Sequence, residues 1–330
     1  MASVTAAAQS GRRMRLASLL QRQGVALALL ALVGFGALRY DHFLSATNIA
    51  DVLGYNAMFG LLALGMTFVI VSGGIDLSVG SVAALASVIA AKASGYGLLP
   101  GLLAALAAGL LIGLLNGWLI AYGRIAPFIV TLAMLLAARG AALMLANNTS
   151  VAISYTSDFK ALGQLPLWGL PLPALLTGAL YAGGALLLGH TAFGRHALAV
   201  GGNEEAARLM GLPVRRIKLG VYALSGMLAA LAGAILAARY GSGQPTEGSG
   251  WELAAIASVV VGGTLLSGGI GSVWSTLAGV LLLGLIFNIL NFENSRGTIS
   301  LNFYWQSVIR GGFLLAVVLL QNRLARADEP

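Results

Sequence analysis

The sequence predicts an all-α, polytopic membrane protein of about ten transmembrane helices with both termini cytoplasmic. Composition is the first reason: the 330 residues are 58% hydrophobic and only 9% charged, with a mean hydropathy of +0.88. Soluble domains carry nearer a quarter charged residues. The second reason is length, because a spanning helix needs about 20 apolar residues and the chain supplies such runs almost end to end. The third is that basic residues sit at the ends of those runs, as topology signals do. The net charge of +8 and pI near 10.1 therefore mark membrane topology and not a nucleic-acid partner.

The spans are read at 22–39, 52–72, 79–95, 98–122, 127–147, 168–190, 219–240, 252–267, 272–292 and 302–321. Arg12, Arg13, Arg15 and Arg22 precede the first run, and no small-residue cleavage site follows it, so it is read as an uncleaved span. With an even span count and cytoplasmic termini, twelve basic residues fall inside, among them Arg124, Arg195, Arg208, Arg215, Arg216, Lys218, Arg323 and Arg326. Five fall outside: Arg39, Lys92, Lys160, Arg239 and Arg296. The resulting division is a cytoplasmic tail at 1–21, one transmembrane domain at 22–321 and a cytoplasmic tail at 322–330. Segment 148–167 is an external loop carrying Tyr155, Asp158 and Lys160, and segment 191–218 is a polar cytoplasmic loop. Trp168, Trp251 and Trp305 are placed as interface anchors.

Enzyme chemistry is poorly supplied. The absence of cysteine excludes disulfides and thiolate sites, and His42, His190 and His196 show no metal-binding spacing. A phosphate-binding Walker loop needs Gly-Lys followed by Ser or Thr. Here Lys92, Lys160 and Lys218 follow Ala91, Phe159 and Ile217. No cofactor is expected in this chain. The 45 glycines, spread among Ala and Ser within the spans, read first as close helix packing.

Several polar groups stand out against this background. Ser72-Gly73-Gly74-Ile75 is echoed by Ser267-Gly268-Gly269-Ile270, which suggests an internal repeat. Asp76, at a cost of about 2.5–3.5 kcal/mol in hydrocarbon, needs an edge position or partners. It or Ser78 is placed to cap the span opening near Val79, and a Gly-Gly hinge with a gating role is compatible with that. Arg139 lies too deep to snorkel and calls for a carboxylate or carbonyl, with Glu252 the candidate partner; Arg310 poses the same question. Asn56, Asn116, Thr131, Asn288 and Asn291 either line a polar path or bond between helices. Pro127 opens a span at its first turn, where its missing N–H costs nothing.

The stretch Thr67 to Ser81 reads Thr-Phe-Val-Ile-Val-Ser-Gly-Gly-Ile-Asp-Leu-Ser-Val-Gly-Ser. Together with Asn116-Gly117, Pro127 to Leu132, Arg139-Gly140, Gly194-Arg195, Ala199 to Asn203 and Glu252 to Gly269, it resembles the ribose-type sugar permeases of ABC importers, carbohydrate uptake family 2. The resemblance covers about residues 50–320 and points most nearly to ribose or galactofuranose permeases. In the polar loop, Asn203-Glu204-Glu205-Ala206-Ala207 with Gly211 resembles the coupling segment by which such permeases touch their ATPase, although Leu212-Pro213 departs from the longer spacing elsewhere. The resemblance implies a monosaccharide importer with a cytoplasmic ATPase that holds the ATP and Mg, an external sugar-binding protein and a second permease subunit, identical or related. Gly73, Gly74, Asp76, Ser78, Asn56, Asn116, Arg139 and Glu252 become the gating or translocation candidates. The alternatives are an ion-driven secondary transporter, for which no acid is read within a span, a non-transporting membrane scaffold, and an ABC permease for nucleosides or branched-chain amino acids.

Overall fold

The computed structural model describes residues 24–295 and Trp305, Val308, Ile309, Gly311, Gly312 and Leu315. The two tails, Arg296, Arg310 and, apart from those six positions, the span expected at 302–321 lie outside the described residues. What is described is mostly helical. The helices are α1 (Gly24–Arg39), α2 (Ala46–Val71), α3 (Val79–Ala93), α4 (Leu98–Ala121), α5 (Pro127–Leu145), α6 (Ala161–Gln164), α7 (Leu172–His190), α8 (Ala192–Gly202), α9 (Glu204–Leu209), α10 (Val214–Tyr240), α11 (Trp251–Val261) and α12 (Val273–Ser295).

Seven of the described helices are long and apolar enough to cross a membrane: α2, α3 with the turn that follows it, α4, α5, α7, α10 and α12. Chain α1 is shorter, and α11 departs clearly from expectation. In the apolar run read as a span at 252–267, helix stops at Val261, so α11 has only 11 residues, a rise of about 16 Å against a hydrocarbon core of about 30 Å. Gly263, at φ +89°, stops it, with Gly263 N–H bonded to Val260 O and Thr264 N–H to Val259 O. The chain then continues as irregular backbone to α12. Such backbone is tolerated at membrane depth only inside protein or beside a cavity.

The centre of the bundle is α2 and α10, both buried almost throughout. Helix α10 packs most extensively on α4 and also on α3 and α2, while α2 meets α7, α11 and α12. The α4–α10 seam explains much of the glycine content. A Cβ on Gly109 would collide with Gly226 O, and one on Gly113 with Tyr222 O, so these backbones touch where no side chain fits. Helix α2 starts earlier than hydropathy suggested because Ser45 caps it, its Oγ accepting from Asn48 N–H at 3.2 Å. Helix α10 also starts earlier, at Val214, carrying Arg215, Arg216 and Lys218 as helical residues beyond the apolar stretch.

The segment 148–167 is a folded cap over one end of the bundle. Its strand β1 (Val151–Ala152) pairs antiparallel with β4 (Ser242–Gly243), the latter lying just past α10; β2 (Pro166–Leu167) pairs with β3 (Leu170–Pro171) ahead of α7. Phe159 is buried against Gly101, and Asp158 Oδ1 accepts Leu98 N–H at 2.8 Å, capping α4. Helices α8 and α9 lie at the opposite end.

Candidate coupling and translocation site

The link 72–78 between α2 and α3 builds a polar knot inside the bundle. Helix α2 ends as Gly73 turns left-handed at φ +80°, with Gly73 N–H bonded to Ile70 O and Gly74 N–H to Val69 O. That is the pattern by which Gly263 ends α11. The same termination thus follows Val69-Ile70-Val71 and Val259-Val260-Val261. The echo seen in sequence at 267–270 lies further along its loop, so the repeated structural feature is the helix stop.

Asp76 is 1% exposed. Its Oδ1 accepts Ser78 N–H at 3.0 Å and Ser78 Oγ at 2.6 Å, and its Oδ2 accepts Ser225 Oγ from α10 at 2.8 Å. Asn116 of α4 donates to Ser78 Oγ at 3.1 Å. Tyr222 of α10 and Thr131 of α5 both donate to Ile75 O, at 3.4 and 3.3 Å. Of the two capping candidates, Ser78 makes no side-chain cap bond to α3, whereas Asp76 takes the backbone N–H of Ser78 just ahead of α3 and also ties the link to α10. Asp76 is therefore buried in the bundle interior, yet it lies on the link between α2 and α3 and in neither helix. A charge-assisted bond to each hydroxyl offsets part of the desolvation that burial imposes. Among the described residues, Asn116 Oδ1 and Thr264 Oγ1 are buried without a hydrogen bond.

Beside this knot glycines of three segments, 71–73, 201–202 and 268–269, bring backbone against backbone. Gly269 N–H donates to Val71 O at 3.0 Å, joining the second Ser-Gly-Gly loop to the end of α2. A Cβ on Gly201, in the last turn of α8, would run into Val71 O and stand 2.8 Å from Gly269 N; one on Gly268 would stand 3.0 Å from Gly73 Cα. One residue past Gly202, Asn203 opens α9, its Oδ1 accepting Ala206 N–H at 2.9 Å. Glu204 bridges to Lys218 at 2.6 Å and to Arg208 at 3.1 Å. Ala207 is buried, and Gly211, at φ +80°, closes the helix with Leu212 N–H bonded to Ala207 O. Glu205 is exposed, and Leu209 and Met210 project at 84% and 69% exposure.

The structure thus gathers Gly73, Gly74, Asp76, Ser78 and Asn116 into one knot and sets Asn203 to Gly211 beside it. Asn56 and Arg139 lie toward the other end, while the Glu252 carboxylate stands beside Gly80 in the first turn of α3. Arg139 Nη1 donates to the carbonyls of Pro245 and of Glu247, the latter at 2.6 Å, while Glu252 interacts with it electrostatically without forming a direct salt bridge. Its partners are the connection between α10 and α11, so of the two partner types expected the carbonyls are present. Trp251 is half-buried, with its ring 4.8 Å from that of Phe59. Asn56 donates to Val52 O of its own helix, and Asn288 pairs with Asn48 of α2 at 2.8 Å. Ser225 and Tyr222 went unmarked in sequence, although they are the two hydroxyls of an otherwise apolar run; Gly201 and Gly268 were marked only as parts of the 199–203 and 267–270 motifs, with no sign that they meet. Among the described residues, no three His, Asp or Glu side chains group to hold a metal ion.

A bundle with seven helices long and apolar enough to cross a membrane, built around an acid-centred knot, belongs to the class of multi-pass membrane proteins. The family described as the permease component of branched-chain amino acid transport systems matches residues 48–318, and the chain belongs to it. It is 42% identical to the ribose import permease protein of Bacillus subtilis (strain 168), over 94% of this chain and 96% of that one. It is 44% identical to the L-arabinose transport system permease protein of Escherichia coli (strain K12), over 83% and 82%, and 34% identical to the xylose transport system permease protein of the same organism, over 86% and 87%. No solved structure matches the chain.

Proposed function

We propose that this chain is the membrane-spanning permease subunit of an ATP-driven importer in the bacterial cytoplasmic membrane, moving a pentose or hexose. The likeness to ribose, arabinose and xylose permeases over most of the chain carries the substrate class. The observation that carries the mechanism is α9, whose exposed Glu205, Leu209 and Met210 form a small mixed surface suited to a protein partner.

A cytoplasmic ATPase docks on residues 203–211 and hydrolyses the ATP; an external binding protein delivers the sugar; a second permease subunit completes the pathway. Closure of the ATPase displaces α9. Since α8 meets α2 and the 262–272 loop through backbone at Gly201, the displacement reaches both Ser-Gly-Gly loops without a compressible side chain between. The Asp76 knot then carries it to α4, α5 and α10. This chain needs no cofactor of its own for that role.

Glu205→Lys tests the docking. In vesicles holding the complete importer, this change should cut sugar uptake at least about tenfold, equivalent to about 1.4 kcal/mol of lost coupling. The permease should remain folded and inserted. Uptake at the unaltered rate would remove α9 from the mechanism.

A further inference from the structure

At the end of the bundle away from α9, a cavity of about 810 Å3 lies between α2, the α10–α11 connection, α11 and α12. Its volume falls within the about 300–1,000 Å3 typical of small-ligand sites. Its wall combines two chemistries. Phe59 and Trp251 stand with ring centroids 4.8 Å apart and offer aromatic faces, whose negative potential attracts the polarised C–H bonds of a sugar ring. Asn56, Gln244, Glu247 and Ser258 supply polar groups along the same wall. Among the described residues the Asn56 amide makes one hydrogen bond, its donation to Val52 O, which leaves its carbonyl oxygen without a donor.

The wall is held in place. Arg139 donates to the carbonyls of Pro245 and Glu247, and Gln244 N–H donates to Ser87 Oγ at 3.1 Å, which fixes the connection carrying Gln244 and Glu247. Gly284 leaves the room that the Asn56 amide occupies, since a Cβ there would overlap it. A preformed wall of this kind loses little entropy on binding.

Among the described residues no lysine, arginine or histidine lines the cavity. Among these described residues a branched-chain amino acid would find no counter-charge for its carboxylate, at a desolvation cost. A neutral polyol meets no such cost, and its hydroxyls donate to the acceptors present.

We propose that this cavity is the station at which the permease receives the monosaccharide, the ring lying on Trp251 and Phe59 and the hydroxyls bonding to Asn56, Gln244 and the Glu247 carboxylate. The inference rests on the sugar-importer reading above. It gives Arg139 a place as a positioning residue for the receiving wall.

The test uses the complete importer, permease with its ATPase and binding protein, in proteoliposomes supplied with ATP. Uptake of D-ribose, L-arabinose, D-xylose and L-leucine is compared for the parent, Glu247→Gln, Gln244→Ala, Trp251→Leu and, as a control outside the cavity, Trp168→Phe. Each lost hydrogen bond should lower uptake about 3- to 10-fold. Trp251→Leu should lower it further, and the ratios among the three sugars should change, because the sugars present different hydroxyls. Stimulation of ATP hydrolysis by the binding protein should persist, and the control should match the parent. Glu247 is exposed, so Glu247→Gln folds even where a bulkier change does not. If the variants keep the parent's uptake and ratios, the cavity is not the receiving site although the importer reading stands. If the parent carries L-leucine and none of the sugars, both readings fall.

Discussion

Asp76 concentrates the residue-scale physics. A carboxylate at 1% exposure is held by two serine hydroxyls and one N–H, and no cation stands among its hydrogen-bond partners. Removing it orphans Ser78 and Ser225 together, whereas removing Ser225 takes away one of three donors. Asp76→Ala should therefore destabilise the detergent-solubilised permease by about 1–3 kcal/mol, and Ser225→Ala by about 1 kcal/mol. Thermal unfolding followed by tryptophan fluorescence reads both, and equal midpoints for the two variants would contradict the account. The need for partners around Asp76 was legible from its cost in hydrocarbon; their identity was not. Ser225 lies 149 residues away, and no local pattern reports such a pairing. Arg139 teaches the same lesson. Its depth demanded a partner, but the carbonyls of Pro245 and Glu247 are invisible in sequence because every residue has one.

At the scale of elements, the positions of Val79, Leu98 and Pro127 as helix starts follow from turn residues and apolar length, and they agree with the structure. The run 252–267 misled because Val-Val-Val-Gly-Gly-Thr-Leu-Leu is apolar throughout, and hydropathy does not register that Gly263 turns left-handed. The cap at 148–167 was read as a loop because its order comes from pairing with residues past α10. The junction of α8, α2 and the 262–272 loop rests on glycine at the points of closest approach. In Gly201→Ala the new methyl meets Val71 O and Gly269 N, both backbone atoms that a rotamer change cannot move aside. Overpacking of this sort costs about 1–3 kcal/mol. We expect sugar uptake to fall about tenfold or more while the ATPase still co-purifies with the permease, since α9 itself is untouched. Full uptake in Gly201→Ala would show that force does not pass through this contact.

Across the whole molecule, the receiving cavity and α9 lie at opposite ends, with the Asp76 knot and the glycine junction between them. Membership of the permease family, the likeness to pentose permeases and the chemistry of the cavity support one arrangement, sugar entering at one end and ATPase thrust at the other. On the proposed reading the thrust of the ATPase enters at α9. The absence of native cysteine makes a direct measurement simple. A single Leu209→Cys variant, carrying a short photo-crosslinker and illuminated in native membranes, should capture an ATPase subunit, identified by mass spectrometry, with the yield changing when ATP is added. A folded, fully labelled permease that captures no ATPase subunit under either condition would contradict the account.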